Sequence, residues 1–384
     1  ALYANHLAWS YFDHPPLVGW IQWPLVAINA PDGILRLIPI ALWMISCLLV
    51  YQIADQLNTY CSNRSLFIKR ADHNNPSFAG LAAVAIIVFA PLPHVLAVGL
   101  VPDSLLTPLS LGVLWMALQW LKQDGQLRFY QWIVLGLLFG LAGLSKYTAI
   151  LFVLAFAIAC ISIPRFTFLK QAGFYNAIAI ALLLISPVLL WNAQHDWISF
   201  KYQIDHGSGG TWLWRRVAAF VGVQVMVFGF LPLLGLWLYS RAIGFSVRPF
   251  VSILLVFFVL PFSVFAILSG GGGLPHWTTP AWFCLAPIAG LGLAQWWQSG
   301  KRWLISLILA VQGTLVISGL TLVMTAGYPI ASQFKTNPLA DLYGWRSAST
   351  RANLLVNELK ASGIAVQNWT LASRVAWYVK PTPI

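Results

Sequence analysis

Residues 11–17 read Tyr11-Phe12-Asp13-His14-Pro15-Pro16-Leu17, an acid, an imidazole and two prolines set directly before a long apolar run. Asp13 and His14 can exchange protons or hold a cation near neutral pH. Pro15 and Pro16 withhold backbone donors and restrict the residue before them, which fixes a turn. The stretch reads as a rigid polar corner at a lipid boundary, although Asp13 could equally be the cap of an entering helix. Residues 17–30, bounded by prolines on both sides, form too short an apolar run to cross a bilayer and are expected to be an interfacial helix.

Outward from that corner the chain is a membrane protein. Of 384 residues, 59% are hydrophobic and 8% charged, and mean hydropathy is +0.76, whereas soluble domains carry about 25% charged residues. Ten apolar runs approach the roughly 20 residues that cross about 30 Å of hydrocarbon: about 34–55, 78–98, 103–121, 131–145, 147–163, 173–191, 215–239, 250–268, 277–297 and 303–325. The break at Ser145-Lys146-Tyr147 divides what would otherwise be one overlong helix. The expectation is an all-α polytopic protein with about ten transmembrane helices. The 20 Trp and 12 Tyr suit membrane interfaces. Cys47, Cys61, Cys160 and Cys284 have neither metal nor disulfide spacing and read as packing residues.

The net charge of +12 does not mark a nucleic-acid binder, because Lys and Arg fall in short clusters between apolar runs, where they set topology. With 34–55 running inward, the inner loops hold eleven basic residues (Arg64, Lys69, Arg70, Lys122, Arg128, Arg165, Lys170, Arg241, Arg248, Lys301 and Arg302). The outer loops hold five: Arg36, Lys146, Lys201, Arg215 and Arg216. Residues 1–327 then form the membrane domain, and the more polar 328–384 a small outer segment or the start of a soluble domain.

This orientation sends the suggestive polar motifs to one face. Asp13 and His14, His94, Asp103, Lys146, His195 and Asp196, and His276 with Trp277 all face outward, and only His73 of seven histidines faces inward. Each has a plain structural reading: Asp103 as a helix-start carboxylate, Lys146 as an interfacial cation, His195-Asp196 as a solvated loop, His276 as an interface anchor. Gly270 to Gly273 lacks the Lys and Ser/Thr of a phosphate-binding loop and reads as a hinge. Together they suit acid–base chemistry on an anionic, lipid-linked substrate. The lysine would offset phosphate charge, and a carboxylate would activate a nucleophile. As outer-loop polar groups, Asp13 and Asp103 are expected to contribute little to packing. The residues name no cofactor. A divalent metal is left open by the carboxylate and imidazole set.

These motifs, with Gly140, Leu141 and Leu144 before Ser145-Lys146-Tyr147-Thr148, Trp191 to Trp197, and Asp341 to Trp345, resemble the polyprenyl-phosphate-sugar-dependent glycosyltransferases of the GT-C superfamily. These are the bacterial relatives of protein O-mannosyltransferases and of aminoarabinose transferase. The resemblance covers almost the whole chain. It implies a multi-pass protein of the bacterial inner membrane with a periplasmic active face, moving a sugar from an undecaprenyl-type phosphate carrier, with inversion. The acceptor would be lipid A or lipopolysaccharide, another glycolipid, or protein. By resemblance Asp13 and Asp103 line the catalytic acidic site, Lys146 meets the carrier phosphate, and Tyr147 is a substrate-binding residue. His14, His195, Asp196, His276 and Trp277 border the donor or acceptor groove. The family's principal Asp-Glu pair has no counterpart in residues 1–12 and is expected upstream of Ala1. A transporter or lipid-linked sugar flippase is the rival reading; such proteins place ionisable residues near the membrane midplane or in paired broken helices.

Overall fold

The computed structural model describes residues 2–62, 77–123, 126–162, 168–208, 211–242, 248–326, 333, 337, 342–367 and 369–379. Arg64, Lys69, Arg70, His73, Arg165, Lys335, Asp341 and Lys380 lie outside them. Helices account for the ordered elements, and the described residues contain no strand. The chain opens with α1 (Leu2–Asn5), α2 (Leu17–Ala27), α3 (Asp32–Leu35) and α4 (Leu37–Ser62). It continues through α5 (Phe78–Val88), α6 (Pro91–Val98), α7 (Pro102–Lys122), α8 (Phe129–Ser145), α9 (Ile150–Ser162) and α10 (Ala172–Gln194). Next come α11 (Ile198–Ser208), α12 (Trp214–Phe228), α13 (Leu231–Ala242), α14 (Arg248–Leu268), α15 (Thr279–Gln298) and α16 (Arg302–Met324). The polar end adds α17 (Trp345–Leu359) and α18 (Trp369–Tyr378).

All ten apolar runs are helical, and α2 is the short helix expected after Pro16. The number of straight spans is smaller than ten. Among the described residues five helices are long and apolar enough to cross a membrane, and counting each bent pair as one span gives up to seven. The runs expected to be single helices at 78–98 and 215–239 are bent by 77° and 91°. Pro91 starts α6 after an extended Ala90, and a ring nitrogen there cannot continue the preceding helix. Between α12 and α13, Gly229 has φ +79°, and a Cβ on it would meet Gln312 Nε2 at 1.9 Å. Only glycine satisfies both the dihedral and the space. Lys146 is extended, so α8 stops at Ser145 and a 3₁₀ turn at Tyr147–Ala149 leads into α9, which is the break read from the sequence.

The hub is α15, buried continuously from Thr279 to Ala294 against α4, α5, α7, α13 and α14. Without water to squeeze out between lipid-solvated helices, close backbone approach supplies the attraction. A Cβ on Gly292 would sit 2.0 Å from the Gly235 carbonyl oxygen of α13, so this crossing depends on small residues. Large rings fill the rest of the core, with Trp120, Trp132, Phe152, Phe250, Phe257 and Phe283 fully buried. At the other extreme α16 is largely exposed along its length, with Trp303, Leu315, Ile317 and Met324 turned outward, as suits a lipid-facing rim.

This topology gives the bundle two chemically distinct ends. Lys122, Arg128, Lys170, Arg241, Lys301 and Arg302 mark one, and Asp103, Lys146, Asn192 and His276 mark the other, because α7, α8, α10 and α15 each join the two. Single cysteines replacing Gln123 and Asp205 in a background lacking the native thiols should therefore react with a membrane-impermeant maleimide from opposite sides of sealed vesicles. Labelling of both from one side would refute the two-ended arrangement.

Candidate functional site

At the second end, three loops and three helix termini converge on Asp103. Pro102 places it in the first turn of α7, where Ser104 locks the helix entry: its hydroxyl accepts from the Val101 N–H at 3.3 Å and reaches the Leu96 and Gly99 carbonyls at 3.1 Å. The Asp103 carboxylate is 1% exposed and takes both of its oxygens to Lys146 Nζ at 2.8 Å. The extended Lys146 at the α8 break aims its ammonium inward, within 5.9 Å of the Trp277 ring centre and 6.0 Å of Phe265. A charge here is removed from water, so the carboxylate and the aromatic faces replace its hydration. Two expectations change as a result. Asp103 is a buried packing partner rather than a loop-end group, and Lys146 is 7% exposed, directed at Asp103 rather than into the interfacial solvent.

His276 covers the outer side of this pair, with Nε2 3.7 Å from Asp103 Oδ2 and its side chain 28% exposed. Burial lowers its pKa from the ordinary value, Asp103 opposes that shift, and Lys146 and His14 reinforce it. The imidazole is thereby favoured in its neutral form near pH 7, able to accept a proton. Its loop is pinned by Gln224 of α12, fully buried, which accepts from Thr278 Oγ1 at 2.5 Å and Trp282 Nε1 at 2.9 Å and donates to the Pro275 carbonyl at 3.2 Å. Sequence reasoning passed over Gln224. The visible signal was a lone amide inside an apolar run, a group that hydrocarbon does not accommodate without partners.

Asp13 and His14 stand beside that charged core. His14 Nε2 is 3.8 Å from Asp13 Oδ2, and the Tyr3 hydroxyl donates to Asp13 Oδ1. Burial first, and then the Asp13 charge, raise the Tyr3 pKa, which keeps that phenol a donor. The backbone corner is held by α11, where Gln203 donates to the Asp13 carbonyl and Ser199 Oγ donates to the Tyr11 carbonyl at 2.8 Å. Asn192 ties this to the α8 break. Fully buried, it donates to the Tyr147 hydroxyl at 3.4 Å and accepts from the Ser199 N–H at 3.3 Å, while Tyr147 pairs with Ser10 Oγ at 3.2 Å.

The structure thus gathers Asp13, His14, Asp103, Lys146, Tyr147, His276 and Trp277 and leaves His195 and Asp196 outside. His195 is exposed and stacks on Trp191 at 3.9 Å between ring centres. In the 191–197 motif Asn192 joins the network, and the His-Asp pair forms a turn in which Asp196 and Trp197 take positive φ. His94 is also apart, bonded to the Val88 carbonyl at 2.7 Å. Gly270 to Gly273 is a packed turn: the Gly270 carbonyl accepts from Leu213 N at 2.9 Å, and Arg216 donates to the Gly271 carbonyl at 3.2 Å. Among the described residues no three His, Cys, Asp or Glu side chains come together as a metal-binding group.

Comparison with known proteins fits this geometry. The crystal structure of ArnT from Cupriavidus metallidurans in the apo state superposes with a TM-score of 0.59 at 16% identity, covering 96% of this chain and 64% of that one. The same protein bound to undecaprenyl phosphate gives 0.59 at 16% identity, covering 98% and 68%. The chain has the GT-C fold. Residues 13–191 match the family described as dolichyl-phosphate-mannose-protein mannosyltransferase, and that segment contains Asp13, His14, Asp103, Lys146 and Tyr147. No curated protein sequence matches. The chain spans a little under two thirds of the length of apo ArnT.

Two outcomes follow for the charged core. Asp103→Leu or Lys146→Met alone strands a buried charge and should lower stability by about 3–5 kcal/mol, whereas the double substitution should cost much less. Thermal unfolding in detergent checks this; equal losses in the double and single variants would contradict the pairing. For His276, a lowered folded pKa means that the unfolded chain binds the extra proton first as pH falls below about 6.5. Stability should therefore fall between pH 7 and pH 5, and His276→Asn should flatten that decline.

Proposed function

We propose that this chain is a membrane glycosyltransferase that moves a sugar from a polyprenyl-phosphate carrier to an acceptor hydroxyl at the Asp103 end of the bundle. One observation carries the reading: a buried Asp103–Lys146 pair, inside the segment similar to the mannosyltransferase family, lies beneath the partly exposed His14 and His276 and beside a second buried acid, Asp13. ArnT, whose fold the chain shares, is bound to undecaprenyl phosphate in one of the two structures, and we assign a lipid phosphate of that class to the Asp103 end here.

In this reaction Asp13 takes the proton of the acceptor hydroxyl as its oxygen attacks the anomeric carbon from the face opposite the carrier. The bond from that carbon to the phosphate oxygen breaks with inversion, and the carrier phosphate leaves already ionised, so no general acid is needed. His14, partly exposed beside Asp13, lies next to the proton being transferred. Lys146 and His276 supply positive charge or donors behind the leaving phosphate, with Lys146 acting chiefly by balancing Asp103. Tyr147 and Trp277 shape the pocket wall. His195 and Asp196, exposed at the rim, are assigned to an acceptor edge. The acceptor is a glycolipid such as lipid A or lipopolysaccharide, or a protein. The active end faces the periplasm of an inner membrane, as the Lys/Arg distribution favours. Residues 1–327 form the catalytic membrane domain, and 328–384 the outer segment. A transporter would place its ionisable groups near the midplane or around paired broken helices, whereas Asp103, Lys146 and His276 sit at the termini of other helices than the two bent pairs.

The test is transfer of a labelled sugar from a polyprenyl-phosphate donor by the purified full-length protein in detergent, with release of the phosphate carrier followed in parallel. Wild type should transfer. Lys146→Ala should slow turnover per folded molecule by roughly 10²-fold, the scale of one electrostatic contact to a transition state. Lys146→Arg should recover part of it, and Asp13→Asn should reduce turnover without loss of folded protein. Full turnover in Lys146→Ala would remove the lysine from the site. No transfer by the wild type with any such donor would overturn the reading.

A further inference from the structure

The short helix α1 bears directly on Asp13, yet four residues cannot hold a helical turn unaided. Its support comes from elsewhere in the chain. Tyr3 stacks on Tyr11 with ring centres 3.9 Å apart and planes 4° from parallel, and the Tyr11 hydroxyl donates to the Tyr3 carbonyl at 2.8 Å. On its other side Ala4 is buried in a small apolar cluster with Val26 and Leu35, against which Leu25, Ala30 and Trp377 pack. Trp377 belongs to α18, more than 370 residues along the chain from α1.

That tryptophan is oriented by its polar edge. Its indole N–H donates to Asp32 Oδ1 at 3.1 Å, while Arg346 Nη2 reaches Asp32 Oδ2 at 3.0 Å and the Tyr378 hydroxyl reaches it at 3.4 Å. Three donors from α17 and α18 thus meet on one carboxylate at the start of α3. Arg346 is 76% exposed, so its ion pair contributes little. The indole is different, because it joins a hydrogen bond to a buried apolar contact. The adjoining Val379 is fully buried, which anchors the end of α18. Neither the site motifs nor the fold match gives these residues any role.

We propose that α17 and α18 form a strap across the site end of the protein, that Asp32 is its clasp, and that Trp377 is a positioning residue which, through Ala4, keeps Tyr3 on Asp13. The structural half stands on contacts alone. Only the effect on turnover rests on the glycosyltransferase reading.

Hydrogen–deuterium exchange of the purified chain in detergent tests the structural half. Trp377→Ala should raise exchange in peptides covering residues 2–12 by about 10-fold or more and leave α7 and α8 protected. Arg346→Ala should change it by no more than about 2-fold. Trp377→Phe, which keeps the apolar contact and loses the indole N–H, and Asp32→Asn, which weakens the clasp, should fall between, and either serves if Trp377→Ala does not fold. Unchanged exchange in residues 2–12, or an equal rise throughout the chain, overturns the strap.

Turnover tests the positioning. If wild type transfers sugar, Trp377→Ala and Tyr3→Phe should each lower kcat by about 10-fold with donor KM unchanged within about 2-fold. The double variant should be no worse than either single one, as expected for residues acting in one path. Additive losses, or full turnover in a variant whose α1 has opened, refute the positioning role. Failure of the wild type to transfer any sugar is instead the failure of the functional reading, and the exchange result is decided without it.

Discussion

Everything at the site end depends on one buried ion pair. Asp103 and Lys146 are both withdrawn from water, and neither could remain so without the other. The pair dictates local backbone: Lys146 can aim inward only because α8 ends at Ser145 and the chain turns through an extended residue. It also dictates packing, since α7 and α8 must hold their ends at a fixed distance for the bidentate contact. A buried pair of this kind is weak evidence for stability, because two apolar residues of similar volume could pack as well. Its presence fits a place where fixed charge is useful, under a partly exposed imidazole and beside a second acid.

The rest of the bundle keeps that pair in register. α15 is clamped on several sides through small residues, and its leading turn carries His276 to within reach of Asp103. Gln224 joins α12 to the same turn with two hydrogen bonds and to α15 itself with a third. Both bent helix pairs serve this end: α6 leads into the loop that Ser104 closes ahead of Asp103, and α12 brings Gln224. Breaks in a membrane helix expose backbone groups that hydrocarbon cannot satisfy. They are tolerated here because neighbouring protein covers them, as when Gln312 Nε2 donates to the Phe89 carbonyl at the first bend at 3.2 Å.

The class of fold and the place of the motifs were legible in the sequence because both rest on strong, local signals. Long apolar runs can only be helices in lipid, and Ser145-Lys146 interrupts its run with the groups that a helix end accepts. Straightness was not legible. Pro91 and Gly229 lie within runs whose hydropathy is continuous, and bend angle depends on what packs beside them. Burial was not legible either. Asp103 reads as a loop-end acid until Lys146, 43 residues away in the chain, is placed against it. The same limit applies to Asn192 and His195, which share one motif. Composition marks the imidazole as the reactive member, whereas the helix end buries the amide and turns the imidazole out.

Physically, the two acids of the site are not equivalent, and that difference gives the arrangement its direction. Asp103 has both oxygens engaged by one ammonium and almost no contact with water. Asp13, itself buried, is held by the Tyr3 phenol and by the partly exposed His14 imidazole. From outside, the partly exposed His14 and His276 are therefore reached before either acid. The buried pair acts as a fixed electrostatic floor, and the partly exposed His14 and His276 above it are free to change contacts as a charged substrate enters and leaves. Preorganised charge beneath an adaptable surface needs no reorganisation at the moment of reaction, which suits a fixed pair buried beneath two partly exposed imidazoles.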